Sequence, residues 1–281
     1  TQHRPDSGNH PRQYRPQPHL SFSFTGNRFE FRAVGSSANN ASALIVLNAL
    51  VANQLQKFQK AVDTLIEKNV KKDEAIFQVL KELIIQSKPI RFNGDGYSEE
   101  WVKEAKKRGL TNITSVPESL AAYLRPESKK LFKDLEIFNE SELRGRVEVE
   151  YEKFIMKIQI ESRVLADLAI NHIVPVAIEY QTMLLENVRN LKEVFDAEEY
   201  KKLAGARLEL IKTINEHIST IKAKREAMIE ERKKSNAISD VVKRAVAYDK
   251  NVKPYLEEIR EHIDKLELIV DNEKWPLPKY R

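Results

Sequence analysis

The sequence of 281 residues contains no cysteine, which excludes disulfides, thiolate nucleophiles and zinc–sulfur sites. This absence fits a reducing compartment. Long apolar runs are also missing, since no stretch approaches the roughly 18 uninterrupted apolar residues that a membrane-spanning helix needs. The polar, proline-rich N-terminus does not resemble a signal peptide. These features predict a cytoplasmic protein with no membrane partner.

A strong excess of one charge is missing as well. The 47 basic and 42 acidic residues leave a net charge of +5. Both signs are mixed within the same helical segments, as in EEWVKEAKKR, and mixed charges three or four residues apart are typical of a solvated helix face. No basic stripe with interleaved aromatics appears, so we expect no nucleic-acid partner.

The first 21 residues differ in composition from the rest. They hold four of the 11 prolines and three of the 6 histidines, and their one aliphatic residue is Leu20. This composition predicts a disordered tail. The chain begins with threonine and its first methionine is Met156, which predicts a fragment or a processed chain.

An alternating segment follows at residues 22–32. Arg28, Glu30 and Arg32 share one parity, with Phe22 and Phe24 before them, while Phe29 and Phe31 occupy the other. This period of two with aromatics predicts a strand with one apolar face. The sequence GSSANN at 35–40 then predicts a loop that ends in an asparagine cap of the next helix.

Amphipathic helices are predicted for most of the remaining chain. Shorter ones lie at 40–68, 72–87, 98–107, near 117 and at 127–135, and long patterns run over 141–190, 196–234 and 236–271. Pro175 is expected to kink or break the first long pattern. Short connections between long helices predict an antiparallel bundle. Apolar residues expected to point inward from the first helix are Leu44, Leu47, Leu50, Val51, Leu55 and Phe58.

The residues alone leave the chemistry open. The Arg-x-Glu-x-Arg pattern is either a surface ion-pair ladder or a site where arginine forks bind an anion and the carboxylate binds a divalent metal. A metal site of His172, His217 and His262, one from each long helical pattern, is conceivable, although single helical histidines are more often surface or core residues. Asp95, between two glycines, is interpreted as part of a turn.

Longer stretches carry a resemblance to a known family. The sequences NRFEFRAVGSSANNASALIVLN and KIQIESRVLADLAINHIVPVAIEYQ resemble the C-terminal part of glutamine synthetases, and most of all the large type III enzymes. The resemblance covers about residues 22–270. It implies a mainly α fold, in which one or two strands remain from an α+β catalytic domain and a long antiparallel helical bundle follows. The implied domains are a tail at 1–21, the C-terminal part of the catalytic domain at 22–155, and a helical extension at 156–281.

The resemblance also implies a reaction, namely ATP-dependent ligation of ammonia to glutamate through γ-glutamyl phosphate, with Mg²⁺ or Mn²⁺. Glu30 matches a metal-ligating glutamate of the family. Arg32 matches a catalytic arginine that contacts the glutamate substrate or the transferring phosphoryl group, and Arg28 matches a basic position near the phosphates of ATP. A homo-oligomer of stacked rings is implied as well.

Much of such an enzyme is missing by resemblance, including the other metal-binding carboxylates and most of the nucleotide pocket. We therefore expect this chain alone to be inactive. The tail at 1–21 is interpreted as an out-of-frame reading, because one lost base just before Phe22 would convert an arginine-rich family segment into QYRPQPHLS. The alternative function is a non-catalytic helical interaction protein derived from the enzyme.

Overall fold

A computed structural model describes the backbone of residues 22–24 and 29–31 and the whole of residues 39–92 and 98–279. The described chain is mainly helical, as predicted. Its strands are β1 (Phe22–Phe24) and β2 (Phe29–Phe31). Its α-helices are α1 (Ala41–Glu67), α2 (Lys72–Gln86), α3 (Glu99–Lys107), α4 (Val116–Ala121), α5 (Pro126–Asp134), α6 (Glu140–Leu168), α7 (Val174–Val194), α8 (Ala197–Asn236), α9 (Val241–Ala247) and α10 (Lys253–Ile269). Short 3₁₀ turns at Lys88–Ile90 and Ala122–Leu124 and π turns at Ala169–Ile173 and Tyr248–Val252 complete it.

The alternating segment forms two strands where the sequence predicted one. β1 and β2 pair antiparallel, and Ser23 lies opposite Glu30 in the register. The two strands therefore run in opposite directions, and the turn predicted at Gly26-Asn27 lies outside the described residues. Membership of these strands in the sheet of a catalytic domain stays a prediction.

The described residues divide into two compact units. The first runs to Ile113 and also takes Lys130–Ile137, and the second takes Thr114–Lys129 and continues from Phe138. The domains expected from the resemblance, at 1–21, 22–155 and 156–281, refer to the family's layout and stay a prediction.

A helical hairpin of α1 and α2 dominates the first unit. Its connection contains Asn69, whose φ of 61° lies in the left-handed region that asparagine tolerates. The amide of Asn69 donates to the carbonyl of Ile66 at 2.8 Å, and the amide of Val70 donates to that of Leu65 at 3.1 Å. These bonds satisfy carbonyls at the end of α1 and turn the chain back into α2.

The apolar side chains of α1 are less buried than the sequence predicted. Leu44, Leu50 and Leu55 expose 39%, 48% and 61% of their surface. Val51 is also exposed, and Leu47 and Phe58 are half-buried. α1 is apolar around much of its circumference, and a hairpin partner covers one side of a helix only. The first unit therefore carries an exposed apolar surface on α1.

Aromatic and cationic contacts fix the chain on both sides of residues 93–97. The rings of Phe92 and Trp101 stack with centroids 4.0 Å apart. The guanidinium of Arg108 lies 5.4 Å from the Trp101 ring and donates to the carbonyl of Arg91 at 2.9 Å. α3 ends as predicted, because Gly109 follows it with a φ of +74°. The predicted turn around Asp95 lies outside the described residues.

The second unit is a helical bundle built around α8. α7 and α10 both pack along α8, and α6 packs against α9. α7 ends only two residues before α8 begins, so these neighbours run antiparallel. The predicted apolar stripes are confirmed, since their buried members face the common core: Ile214, Ile218, Ile221, Ile259, Ile263 and Leu266.

Of the two expected effects of Pro175, a kink or a break, the break does not occur. The chain stays helical from α6 through the π turn Ala169–Ile173 into α7, where Pro175 occupies the first turn. The second π turn, Tyr248–Val252, precedes Pro254 in the same way. Proline lacks an amide hydrogen and collides with the carbonyl four residues earlier, and a π turn just before it accommodates that gap in the hydrogen-bond ladder.

Candidate functional site

The site predicted from the sequence lies at the strand pair. Glu30 occupies the middle position of β2, with Ser23 as its partner in β1. Arg28 and Arg32 lie outside the described residues. The roles assigned to these three residues therefore stay predictions.

Two of the three candidate histidines come together in the bundle. The Nδ1 atoms of His217 in α8 and His262 in α10 lie 2.9 Å apart, and their rings meet edge to face with centroids 5.1 Å apart. Two neutral imidazoles at this distance share one hydrogen, so that one ring donates and the other accepts. Such a pair links the two helices at a half-buried position.

The third histidine does not complete a metal site. His172 lies exposed in the first π turn. Within residues 39–92 and 98–279 no three side chains of the metal-ligating types gather closely enough to hold an ion. The three-histidine site that the sequence allowed is therefore not formed in this part of the chain.

The surroundings of the pair favour a neutral His217. Burial lowers its pKa, and the electrostatic effects of His262 and Lys265 lower it further, against the opposing effect of Glu216 and Glu261. Lys265 is itself held by Glu261, at 2.6 Å from Nζ to Oε1. The imidazole of His217 thus resists protonation in the folded protein.

A pH dependence of stability follows from this lowered pKa. The unfolded chain takes up a proton near pH 6.5, whereas folded His217 takes it up only at lower pH. The contribution of His217 to the free energy of unfolding is therefore fully present above about pH 6.5 and is lost progressively as the pH falls below that value. We expect the midpoint of thermal unfolding to fall between pH 7.5 and pH 5.5, and to fall less in His217→Gln. His172→Gln, at an exposed position, should retain the wild-type dependence; equal pH profiles for all three proteins would contradict the assignment.

A group of arginines in the second unit was not apparent from the sequence. Arg225 and Arg232 are seven residues apart on α8 and flank the buried Met228, so they lie on the inward side of that helix. The sequence signal was this spacing, hidden among the many charges of α8. Arg163 of α6 and Arg244 of α9 belong to the same group.

Comparison with known proteins places part of this architecture in a family. The family model described as the glutamine synthetase C-terminal domain matches residues 75–192. This segment of the chain is therefore similar to a glutamine synthetase C-terminal domain. The matched segment begins in α2 and extends almost to the end of α7. The predicted resemblance to glutamine synthetase is thereby confirmed.

Individual glutamine synthetases match over more of the chain than the C-terminal domain does. A glutamine synthetase of Bacteroides fragilis is 57% identical over 260 residues, and a type-3 glutamine synthetase of Dictyostelium discoideum is 34% identical over 268 residues. A glutamine synthetase of Butyrivibrio fibrisolvens is 27% identical over 264 residues. Each alignment covers 92% of this chain but only 35–36% of the relative. The chain thus spans about a third of the length of the glutamine synthetases it matches.

None of the helices in the described part of the chain combines the length and the apolar composition needed to cross a membrane.

Proposed function

We propose that this chain is the C-terminal part of an ATP-dependent glutamate–ammonia ligase of the type III class. The observation that carries the proposal is the match of a glutamine synthetase C-terminal domain within a chain that aligns over 92% of its length with a glutamine synthetase at 57% identity. In the proposed reaction ATP phosphorylates the γ-carboxylate of glutamate, and ammonia then displaces phosphate. A divalent Mg²⁺ or Mn²⁺ ion would neutralise charge on the transferred phosphoryl group.

Glu30 is proposed to supply one ligand to that metal. A carboxylate fits because Mg²⁺ takes oxygen ligands and is often shared between a few carboxylates and substrate phosphates. Placement at the centre of a paired strand gives the residue a backbone held on one side by hydrogen bonds. Arg32 is proposed to contact glutamate or the phosphoryl group, and Arg28 the phosphates of ATP, because guanidinium forks bind such anions bidentately.

The isolated chain is proposed to be inactive. One carboxylate does not hold a metal ion alone, and no group of three potential ligands gathers in the fully described residues 39–92 and 98–279. Productive ligation also requires both substrates to be aligned. The exposed apolar surface of α1 supports the proposal that the reaction needs a larger protein than this chain, because apolar helix faces of this kind are normally covered by other parts of a protein. A cytoplasmic homo-oligomer completes the proposal.

A chimeric enzyme tests this function. Residues 22–281 would replace the matching C-terminal part of the Bacteroides fragilis relative, and glutamine formed from glutamate, ammonia and ATP would be measured. We expect the chimera to form glutamine and the isolated chain to form none. A chimera that folds and assembles like the parent but makes no glutamine would contradict the proposal and favour the non-catalytic interaction protein.

A further inference from the structure

Four arginines of the second unit come from three helices that pack on one another. Arg163 lies on α6, Arg225 and Arg232 on α8, and Arg244 on α9. α6 contacts both α8 and α9, and α8 also contacts α9. Three of these side chains are half-buried, and that of Arg163 is exposed.

Tyr248 lies close to three of the four arginines, namely Arg163, Arg232 and Arg244. Its hydroxyl donates to Oδ1 of Asn236 at 2.7 Å. The positive charges of Arg232, Arg163 and Arg244 act on Tyr248, although burial dominates and raises its pKa. Burial, followed by the charge of Arg163, lowers the pKa of Arg232, and Arg225 adds to this effect. Arg163, Arg232 and Arg244 therefore concentrate positive charge around one tyrosine, and Arg225 adds its charge beside Arg232.

These guanidinium groups lack partners within the part of the chain that the structure describes. No carboxylate there forms an ion pair with any of the four, and no hydrogen bond from them is formed. The Nε atoms of Arg225 and Arg244 are buried without an acceptor. A guanidinium offers five donors, and buried donors are nearly always paired.

The nearby carboxylates are already engaged by lysines. Glu230 binds Lys233 at 2.7 Å and Glu231 binds Lys234 at 2.6 Å, both on α8. On the second π turn, Asp249 lies 3.4 Å from the ammonium of Lys253. These three carboxylates therefore pair with lysines and not with the arginine group.

We propose that Arg163, Arg225, Arg232 and Arg244 form a binding site for a small phosphoryl-bearing anion. Such a group carries a charge near −2 and three strong acceptor oxygens, and arginine forks bind it bidentately. One side-chain carboxylate of a neighbouring protein would neutralise only one of the four charges. The size of the charge and the number of donors thus favour a phosphoryl group, such as that of a pyrophosphate or a nucleotide.

Calorimetric titration of the full chain with inorganic pyrophosphate at constant ionic strength tests this site. We expect saturable binding with a Kd below about 1 mM and a loss of at least about tenfold in affinity in Arg163→Gln/Arg232→Gln. Arg189→Gln, on the exposed face of α7, removes one arginine charge outside the proposed site and should bind like the wild type. Arg163→Lys/Arg232→Lys keeps both charges but loses the bidentate guanidinium groups, so it should bind pyrophosphate with intermediate affinity. This variant provides the test if the glutamine variant unfolds.

Three results would overturn the proposal. The first is absence of saturable binding, and the second is equal binding by the double variant and Arg189→Gln. The third is self-association of the chain in sedimentation velocity that depends on the four arginines and is unaffected by pyrophosphate. In that case the arginines face carboxylates of a second copy.

Discussion

Leu266→Ala is expected to lower the free energy of unfolding by about 2–5 kcal/mol. Leu266 is fully buried in the core that α8 shares with α10. Its truncation removes apolar area from the core and leaves a cavity that tightly packed neighbours fill only in part. Unfolding by urea, followed by circular dichroism at pH 7.5, measures the loss.

Leu268 provides a matched control on the same helix. It lies two residues further along α10 and exposes 86% of its surface. Leu268→Ala makes the same chemical change outside the core, so it should alter stability by no more than about 0.5 kcal/mol. Comparable losses in the two variants would show that this end of α10 does not pack as the structure describes.

Glu30→Ala in the chimeric enzyme is expected to lower kcat by about 100-fold or more. A catalytic metal ion contributes several kcal/mol of charge stabilisation in the transition state, and about 1.4 kcal/mol corresponds to a factor of ten in rate. Loss of one ligand should weaken the binding of the metal ion and displace it from its catalytic position. The rate of glutamine formation, measured against Mg²⁺ concentration, should show a lower maximum and a higher concentration for half-maximal activity.

Ser23→Ala tests whether that effect belongs to the carboxylate. Ser23 is the cross-strand partner of Glu30, so its substitution disturbs the same strand pair without removing an acid. We expect this control to retain activity within a few-fold of the parent chimera. Near-normal activity of Glu30→Ala at every Mg²⁺ concentration would rule out Glu30 as a metal ligand while leaving the overall function of the chimera untouched.

The sequence predicted the helices well where burial is decided locally. The apolar stripes of α8 and α10 repeat every three or four residues and are flanked by charged residues. One face of each helix is therefore apolar, whichever element it packs against. The breaker Gly109 sets the end of α3 that the structure confirms.

Features that depend on distant residues were predicted less well. Leu44 and Leu55 belong to an apolar helix, but their burial depends on which elements cover it. His217 and His262 lie 45 positions apart, and their contact follows from the packing of α10 on α8. The arginine group likewise exists only because three helices meet. Periodicity identifies the faces of helices, whereas the pairing of those faces depends on tertiary structure.

The π turns have a consequence for the phase of the apolar pattern. Buried residues of α6 recur mostly every four positions, as at Tyr151, Ile155 and Ile158 and again at Ser162 and Ala166. Each step of four advances about 40° beyond a full α-helical turn, so the buried side would gradually rotate away from the core. The additional residue of the π turn absorbs this drift before α7 begins. Removal of one residue there would change the phase of α7 relative to α6 by about 100° and turn a different face of α7 toward α8.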